Sequence, residues 1–170
     1  YKRLGLSSLS KDMIDLFKRR TYDIAAVTDK KIKVKYNNEL VPIKTFQQYV
    51  DLYIGTKDET TRIYEQYNER WEYAVCMAPK EEFTQVSFVN GICTSKGGSH
   101  VECIAKQISN GIIAFIKKQH KKEIKDKVVR RYMSLYINCV IENPSFDSQT
   151  KERCITSQSK FGSKPVVSAK

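Results

Sequence analysis

The chain has 170 residues, 41% hydrophobic and 29% charged, with a formal net charge of +11. That length suits one domain, or one domain and part of another, with enough apolar residues for a packed core. No apolar run nears the roughly 20 residues of a membrane-spanning helix, so no membrane partner is expected; the excess charge points either to a polyanionic partner or to a merely soluble basic surface.

The chain opens on Tyr1-Lys2-Arg3-Leu4, with neither an initiator methionine nor the apolar core of a signal peptide, and is expected to be internal to a longer protein. Ser10 suits the N-cap of a helix running to about Arg20, with Met13, Ile14 and Phe17 on one face and Arg19 and Arg20 at its C-terminal end. Ile32 to Tyr36 alternates as a strand. Asn37-Asn38 makes a turn and Leu40 to Ile43 returns, with Pro42 placing it at an edge. Thr45 suits the cap of a short helix through Tyr53. Gly55 to Thr61 is polar and aperiodic, and reads as a linker between domains.

Beyond it, Arg70 to Met77 and Phe83 to Thr94 are β-rich and joined by Ala78-Pro79-Lys80-Glu81-Glu82, which predicts a hairpin with Trp71, Tyr73, Val75 and Met77 on one face. Lys96-Gly97-Gly98 lacks Walker spacing and reads as a tight turn into a helix capped by Ser99, with a phosphate cradle as the alternative. Val101, Ile104, Ala105, Ile108, Ile112, Phe115 and Ile116 recur at helical spacing, so this helix buries one stripe and runs to about Lys118. His100 has no nucleophile or carboxylate placed to pair with it in sequence and reads as a structural hydrogen-bonder. The five cysteines, Cys76, Cys93, Cys103, Cys139 and Cys154, contain no CxxC pair and read as small core residues in a reducing compartment. The spacing of Cys93, His100 and Cys103 matches no common zinc finger, so no metal site is expected.

Between Lys117 and Arg131 lie eight Lys/Arg and two acids, more than half of the excess charge. Lys117, Lys118, Lys121 and Lys122 crowd the helix exit around Gln119 and His120, and a short helix or loop with Lys125, Lys127, Arg130 and Arg131 follows. Four ammonium groups there can meet several phosphates and release their counterions; a solubilising charge run is the alternative. The strand Tyr132 to Glu142 then alternates into a loop that Pro144 begins, Asn143-Pro144-Ser145-Phe146-Asp147-Ser148-Gln149-Thr150-Lys151. An ammonium and a neighbouring amide on such a loop suit a phosphate, or else the loop is an ordinary solvated one. The order strand, helix, strand makes a layered α+β domain with helix on sheet. After Arg153 the chain is rich in Ser and Lys, with Gly162 and Pro165, and is expected to be poorly ordered from Gly162 on.

Three stretches carry a resemblance. Asn143 to Glu152 (NPSFDSQTKE), Phe88 to His100 (FVNGICTSKGGSH) and Phe161-Gly162-Ser163 are similar to stretches of the type IIA DNA topoisomerases, most nearly the eukaryotic topoisomerase II group, and follow that family's order along the chain. The resemblance implies that residues 1–54 are the C-terminal remnant of a GHKL-type ATP-binding domain, 55–61 a linker, 62–156 the transducer domain and 157–170 a partly disordered extension. It also implies a two-layer, ribosomal-protein-like βαβ fold with a left-handed crossover, where pattern alone predicts a right-handed one. By the same resemblance Gln149 and Lys151 contact the γ-phosphate of ATP, with Lys151 in the catalytic role, and Lys117, Lys118, Lys121 and Lys122 face double-stranded DNA. The implied cofactors are ATP and Mg2+, the latter with ligands outside this chain. The implied setting is a homodimeric nuclear enzyme that couples ATP binding and hydrolysis to gate closure and strand passage. The acidic catalytic residue, Mg-binding asparagine and glycine-rich lid of that family are missing from these residues, so the chain alone is not expected to be competent. A free-standing basic DNA-binding module without nucleotide sensing is the alternative. No stacking aromatics interleave the basic cluster, which counts against it.

Overall fold

The computed structural model describes residues 2–168. Tyr1, Ala169 and Lys170 lie outside the described residues, and with them the first residue of the expected internal start and the last two of the expected disordered extension. The chain divides into two compact units, Tyr1–Tyr53 and Ile54–Lys170.

In the first unit, α1 spans Lys11–Val27 and starts as its cap requires: Ser10 is extended and its Oγ accepts from the Met13 N–H at 3.3 Å. The helix runs a further two turns beyond the expected end at Arg20, because no glycine or proline interrupts it before Thr28. Its buried residues lie in that extra stretch, at Asp23, Ala25 and Ala26, while Ile14 and Phe17 of the expected apolar face are 43% and 48% exposed. Asp23 accepts from the Tyr49 hydroxyl at 2.6 Å and from Arg20 Nη1 at 3.0 Å. Burial and this carboxylate push the Tyr49 phenol far above its usual range. Strands β1 (Lys35–Tyr36) and β2 (Glu39–Leu40) pair around Asn37-Asn38, both with positive φ, the two-residue turn that matches strand twist. Helix α2, Phe46–Ile54, starts where the Thr45 Oγ1 accepts from the Gln48 N–H at 3.2 Å.

The second unit is a five-stranded sheet with a helix packed on it. The strands are β3 (Arg62–Asn68), β4 (Trp71–Met77), β5 (Thr84–Val89), β6 (Ile92–Cys93) and β7 (Met133–Cys139), in the order β3-β4-β7-β5-β6. The hairpin expected between Arg70–Met77 and Phe83–Thr94 does not form. β4 instead pairs antiparallel with β3 and with β7, while β5 pairs parallel with β7. Two tight turns decide this. Glu69-Arg70 closes β3 onto β4, and Asn90-Gly91, both at positive φ, folds β6 back onto β5. The Ala78–Glu82 connection therefore carries the chain to the other side of β7 rather than back along β4.

Trp71 and Tyr73 of β4, Leu135, Ile137 and Cys139 of β7, and Val89 of β5 form one fully buried sheet face. Met77, expected on that face, is 68% exposed at the strand's end. Helix α3, Ser99–His120, lays Val101, Ile104 and Ala105 on the sheet. Ile112 and Phe115 of the same stripe are 39% and 60% exposed. Length explains it: 22 helical residues span about 33 Å, whereas strands of seven residues span about 23 Å. The far half of α3 overhangs the sheet. A short helix, α4 (Asp126–Arg131), joins it to β7 and is tied back to α3 by Ser109 to Asp126 and by Arg130, which bridges Glu102 at 2.7 Å and Asp126 at 2.8 Å.

Residues after Thr156 make specific contacts as far as Ser168. Phe161 is buried, with its ring 5.6 Å from that of Trp71. The Trp71 indole N–H donates to Ser163 Oγ at 2.7 Å. The Gln107 amide donates to the Pro165 carbonyl and accepts from the Val167 N–H, each at 3.2 Å.

Candidate functional site

The loop after β7 leaves the core at Ile141 and folds into a small hairpin of its own. Phe146 bridges Cys154 antiparallel, the Ile155 N–H donates to the Ser145 carbonyl at 2.9 Å, and the Ser145 N–H donates to Thr156 Oγ1 at 2.8 Å. Its tip is a turn, Ser148 to Lys151, closed by the Lys151 N–H on the Ser148 carbonyl at 3.1 Å. Lys151 adopts a left-handed backbone, φ 58°, which only surroundings that hold it in place make tolerable. Its ammonium lies 5.9 Å from the centroid of the Phe146 ring, within cation–π range, and its side chain is half-buried. Gln149 is exposed at the tip. The structure thus presents an amide and an ammonium from one turn, with Phe146 as the shelf beneath the ammonium.

The hairpin is sewn to the turn before α3. The Lys96 N–H donates to the Glu152 carbonyl at 2.9 Å, the Cys154 N–H to the Gly97 carbonyl at 3.0 Å, and the Ser99 N–H to the Cys154 carbonyl at 3.0 Å. The side chains repeat the link: Lys96 Nζ lies 2.8 Å from Glu152 Oε2 and Ser95 Oγ lies 3.4 Å from Glu152 Oε1. The Lys96 partner lowers the Glu152 carboxyl below its ordinary range, and Glu152 raises the Lys96 ammonium. Gly98, at φ 138°, is the residue of closest approach, since a Cβ there would lie 2.1 Å from the Cys154 carbonyl oxygen. Gly98 is also the N-cap position of α3, so Ser99 is the first helical residue and not the expected cap. Lys96, Glu152 and Phe146 carry this arrangement and were not among the expected site residues. The adjacent glycines were the signal for a close approach, but no sequence pattern names the partner segment.

Behind the turn, His100 is buried and its Nε2 lies 3.1 Å from Thr94 Oγ1, which is 2.6 Å from Ser87 Oγ. Burial lowers the imidazole to about 3, so it is neutral and structural, as expected. Cys76, Cys103, Cys139 and Cys154 are buried free thiols and Cys93 is half-buried.

At the opposite end of α3, Lys117 and Lys118 occupy its last turn, Lys121 caps it at φ 56°, and Lys122 follows; all four are exposed. Lys117 pairs with Glu123 at 2.9 Å, an exposed contact that solvent largely screens. Of the neighbouring arginines, Arg130 serves the fold through Glu102 and Asp126, while Arg131 makes a second exposed pair, with Glu81 at 2.7 Å. The lysine group and the turn before α3 that holds the 145–156 hairpin therefore lie at opposite ends of one helix about 33 Å long.

A family model described as DNA gyrase B matches residues 43–170. Among curated relatives, DNA topoisomerase 2 of Arabidopsis thaliana is 42% identical over 175 residues, which cover 98% of this chain and 12% of that protein. DNA topoisomerase 2-alpha of Mus musculus is 45% identical over 176 residues, covering 99% of this chain and 11% of that protein. The ATPase region of Saccharomyces cerevisiae topoisomerase II superposes with a TM-score of 0.87 at 37% identity, over 98% of this chain and 42% of that one. This chain spans roughly a tenth of the length of those curated relatives.

Proposed function

This chain belongs to the DNA gyrase B family of type IIA topoisomerases, and from that membership we propose that it is the transducing part of the ATPase region in a longer, ATP-driven DNA topoisomerase. The observation that carries the reading is the Ser148–Lys151 turn, which offers Lys151 and Gln149 together on a hairpin fixed to the sheet and to α3. These two groups fit one terminal phosphate: an ammonium for its charge and an amide for an oxygen or a water. In this reading adenine, ribose and the remaining phosphates are held by other parts of the longer enzyme. Among the described residues no group of three or more His, Cys, Asp or Glu is placed to hold a metal, and Mg2+ is assigned no ligand here.

In the proposed enzyme Lys151 donates to the γ-phosphate as its charge develops, and Gln149 orients the same end of the nucleotide. The hairpin passes that engagement to α3 and to the sheet, and this unit moves as a rigid body in closing a protein gate between two copies. Lys117, Lys118, Lys121 and Lys122 meet the backbone of a duplex at the other end of α3. The compartment is the nucleus, in keeping with free cysteines and with the topoisomerase II relatives. Lys151→Ala in the full-length protein is expected to lower ATP turnover on the order of 100-fold, the usual cost of one transition-state donor, while DNA cleavage by the rest of the enzyme persists. Parent-like turnover in that variant would remove the assignment.

A further inference from the structure

A carboxylate next to a phosphate-binding ammonium is an electrostatic problem. Glu152 follows Lys151 directly, and an unneutralised charge there repels a phosphate approaching the turn. Glu152 is not left alone. Its carboxylate receives Lys96 Nζ at 2.8 Å, with Ser95 Oγ and Thr150 Oγ1 each at 3.4 Å, and its carbonyl receives the Lys96 N–H at 2.9 Å. One residue, Lys96, thus grips Glu152 through both main chain and side chain. It comes from a different part of the sequence, the turn that opens α3. We propose that Lys96 is a positioning residue for the phosphate contact of Lys151, one that anchors Glu152 and cancels its charge; this rests on the reading that Lys151 meets a phosphate.

The two partners are then not equivalent. Without the ammonium of Lys96, a bare carboxylate stands beside Lys151. Without the charge of Glu152, the turn gives up an ionic anchor but also the repulsion, and Lys96 becomes a second cation near the phosphate. A pair that only held the loop in shape shows no such asymmetry, and exposed pairs contribute little to folding stability.

The test is steady-state ATP hydrolysis by the full-length protein as Lys96→Met, Lys96→Arg, Glu152→Gln, the Lys96→Met/Glu152→Gln double variant, and Lys151→Ala. Lys96→Met is expected to raise KM for ATP about five- to tenfold with a smaller change in kcat. Lys96→Arg and Glu152→Gln stay within about twofold of the parent, and the double variant returns to the Glu152→Gln value. Thermal midpoints stay together across the set. A double variant as impaired as Lys96→Met, or a Lys96→Met protein with the parent's KM, overturns the proposal while leaving Lys151 in place. If Lys96→Met shifts the thermal midpoint, the comparison of Lys96→Arg with Lys96→Gln replaces it, and equal KM values there overturn the proposal too. Parent-like turnover in Lys151→Ala overturns this proposal together with the phosphate assignment.

Discussion

Two adjacent glycines show how different the demands on neighbouring residues are. Gly97 sits at φ 68° with room for a Cβ, the nearest atoms lying 3.5 Å away on side chains. Gly98 sits at φ 138° against the Cys154 backbone, with 2.1 Å to its oxygen. Gly97→Ala costs only what a left-handed backbone costs, about 1–2 kcal/mol. Gly98→Ala adds a steric conflict with main chain that cannot rotate away, and is expected to cost about 2–4 kcal/mol in all. It also detaches the 145–156 hairpin, so ATP turnover falls with stability. Urea unfolding of the two variants side by side checks this, and a Gly98→Ala protein no less stable than Gly97→Ala would contradict the close approach. At this scale the sequence was partly legible. The glycine doublet, the caps at Ser10 and Thr45 and the structural character of His100 could be read from local chemistry. The Lys96–Glu152 pair could not, because 56 residues separate its partners and nothing local marks an ion pair between distant turns.

At the scale of elements, α3 joins the two sites proposed above, one for a nucleotide phosphate and one for a duplex backbone. Its first half is buried and bound to the loop that bears Lys151, and its last turn holds lysines exposed to solvent. Neutralising Lys117, Lys118, Lys121 and Lys122 together is therefore expected to lower DNA-stimulated ATPase and leave the DNA-free rate near the parent's. The salt dependence of DNA binding should flatten by about 0.9 in log–log slope for each phosphate that is no longer neutralised, with sequence preference unchanged. A quadruple Lys→Ala variant with the parent's stimulation and slope would return the cluster to a solubilising role. Periodicity identified α3 and β7 because both carry long apolar stripes. It failed at β3, whose RIYEQYN is half-exposed and mostly polar and gives little alternation to detect. Without a periodic signal at β3, the next β-rich run along the chain is β5, which is not a neighbour of β4 in the sheet. The Asn90-Gly91 turn splits what is, by composition, a continuous β-rich run.

For the molecule as a whole, the helix-on-sheet architecture was legible from the strand–helix–strand order, and the family from three short stretches, each of which has a structural task. SKGGS and the segment after QTK are hydrogen-bonded to each other, and the FGS motif supplies both Phe161 and Ser163 to Trp71. The position of the tail was not legible, since its Ser- and Lys-rich composition says nothing of the Trp71 and Gln107 contacts that hold it. In the proposed reading these residues supply only the Gln149 and Lys151 contact to a terminal phosphate. Calorimetry of this piece with a non-hydrolysable ATP analogue is therefore expected to show binding weaker than micromolar, and the piece no ATP hydrolysis. Micromolar affinity would mean that it holds a larger part of the pocket.

The strand order has a consequence for how this unit comes to exist. β7 lies in the middle of the sheet yet is the last of its strands to be synthesised, between two hairpins that end at Met77 and Cys93, at least forty residues earlier. The β3–β4 and β5–β6 hairpins form from local contacts, but neither has a partner for its inner edge until residue 139 has left the ribosome. Phe161 closes the end of the core later still. Non-local closure of this kind is slow relative to hairpin formation. The growing chain therefore carries two open strand edges and the apolar face of α3 through a period in which a chaperone, or a second nascent chain, competes with β7 for the same hydrogen bonds.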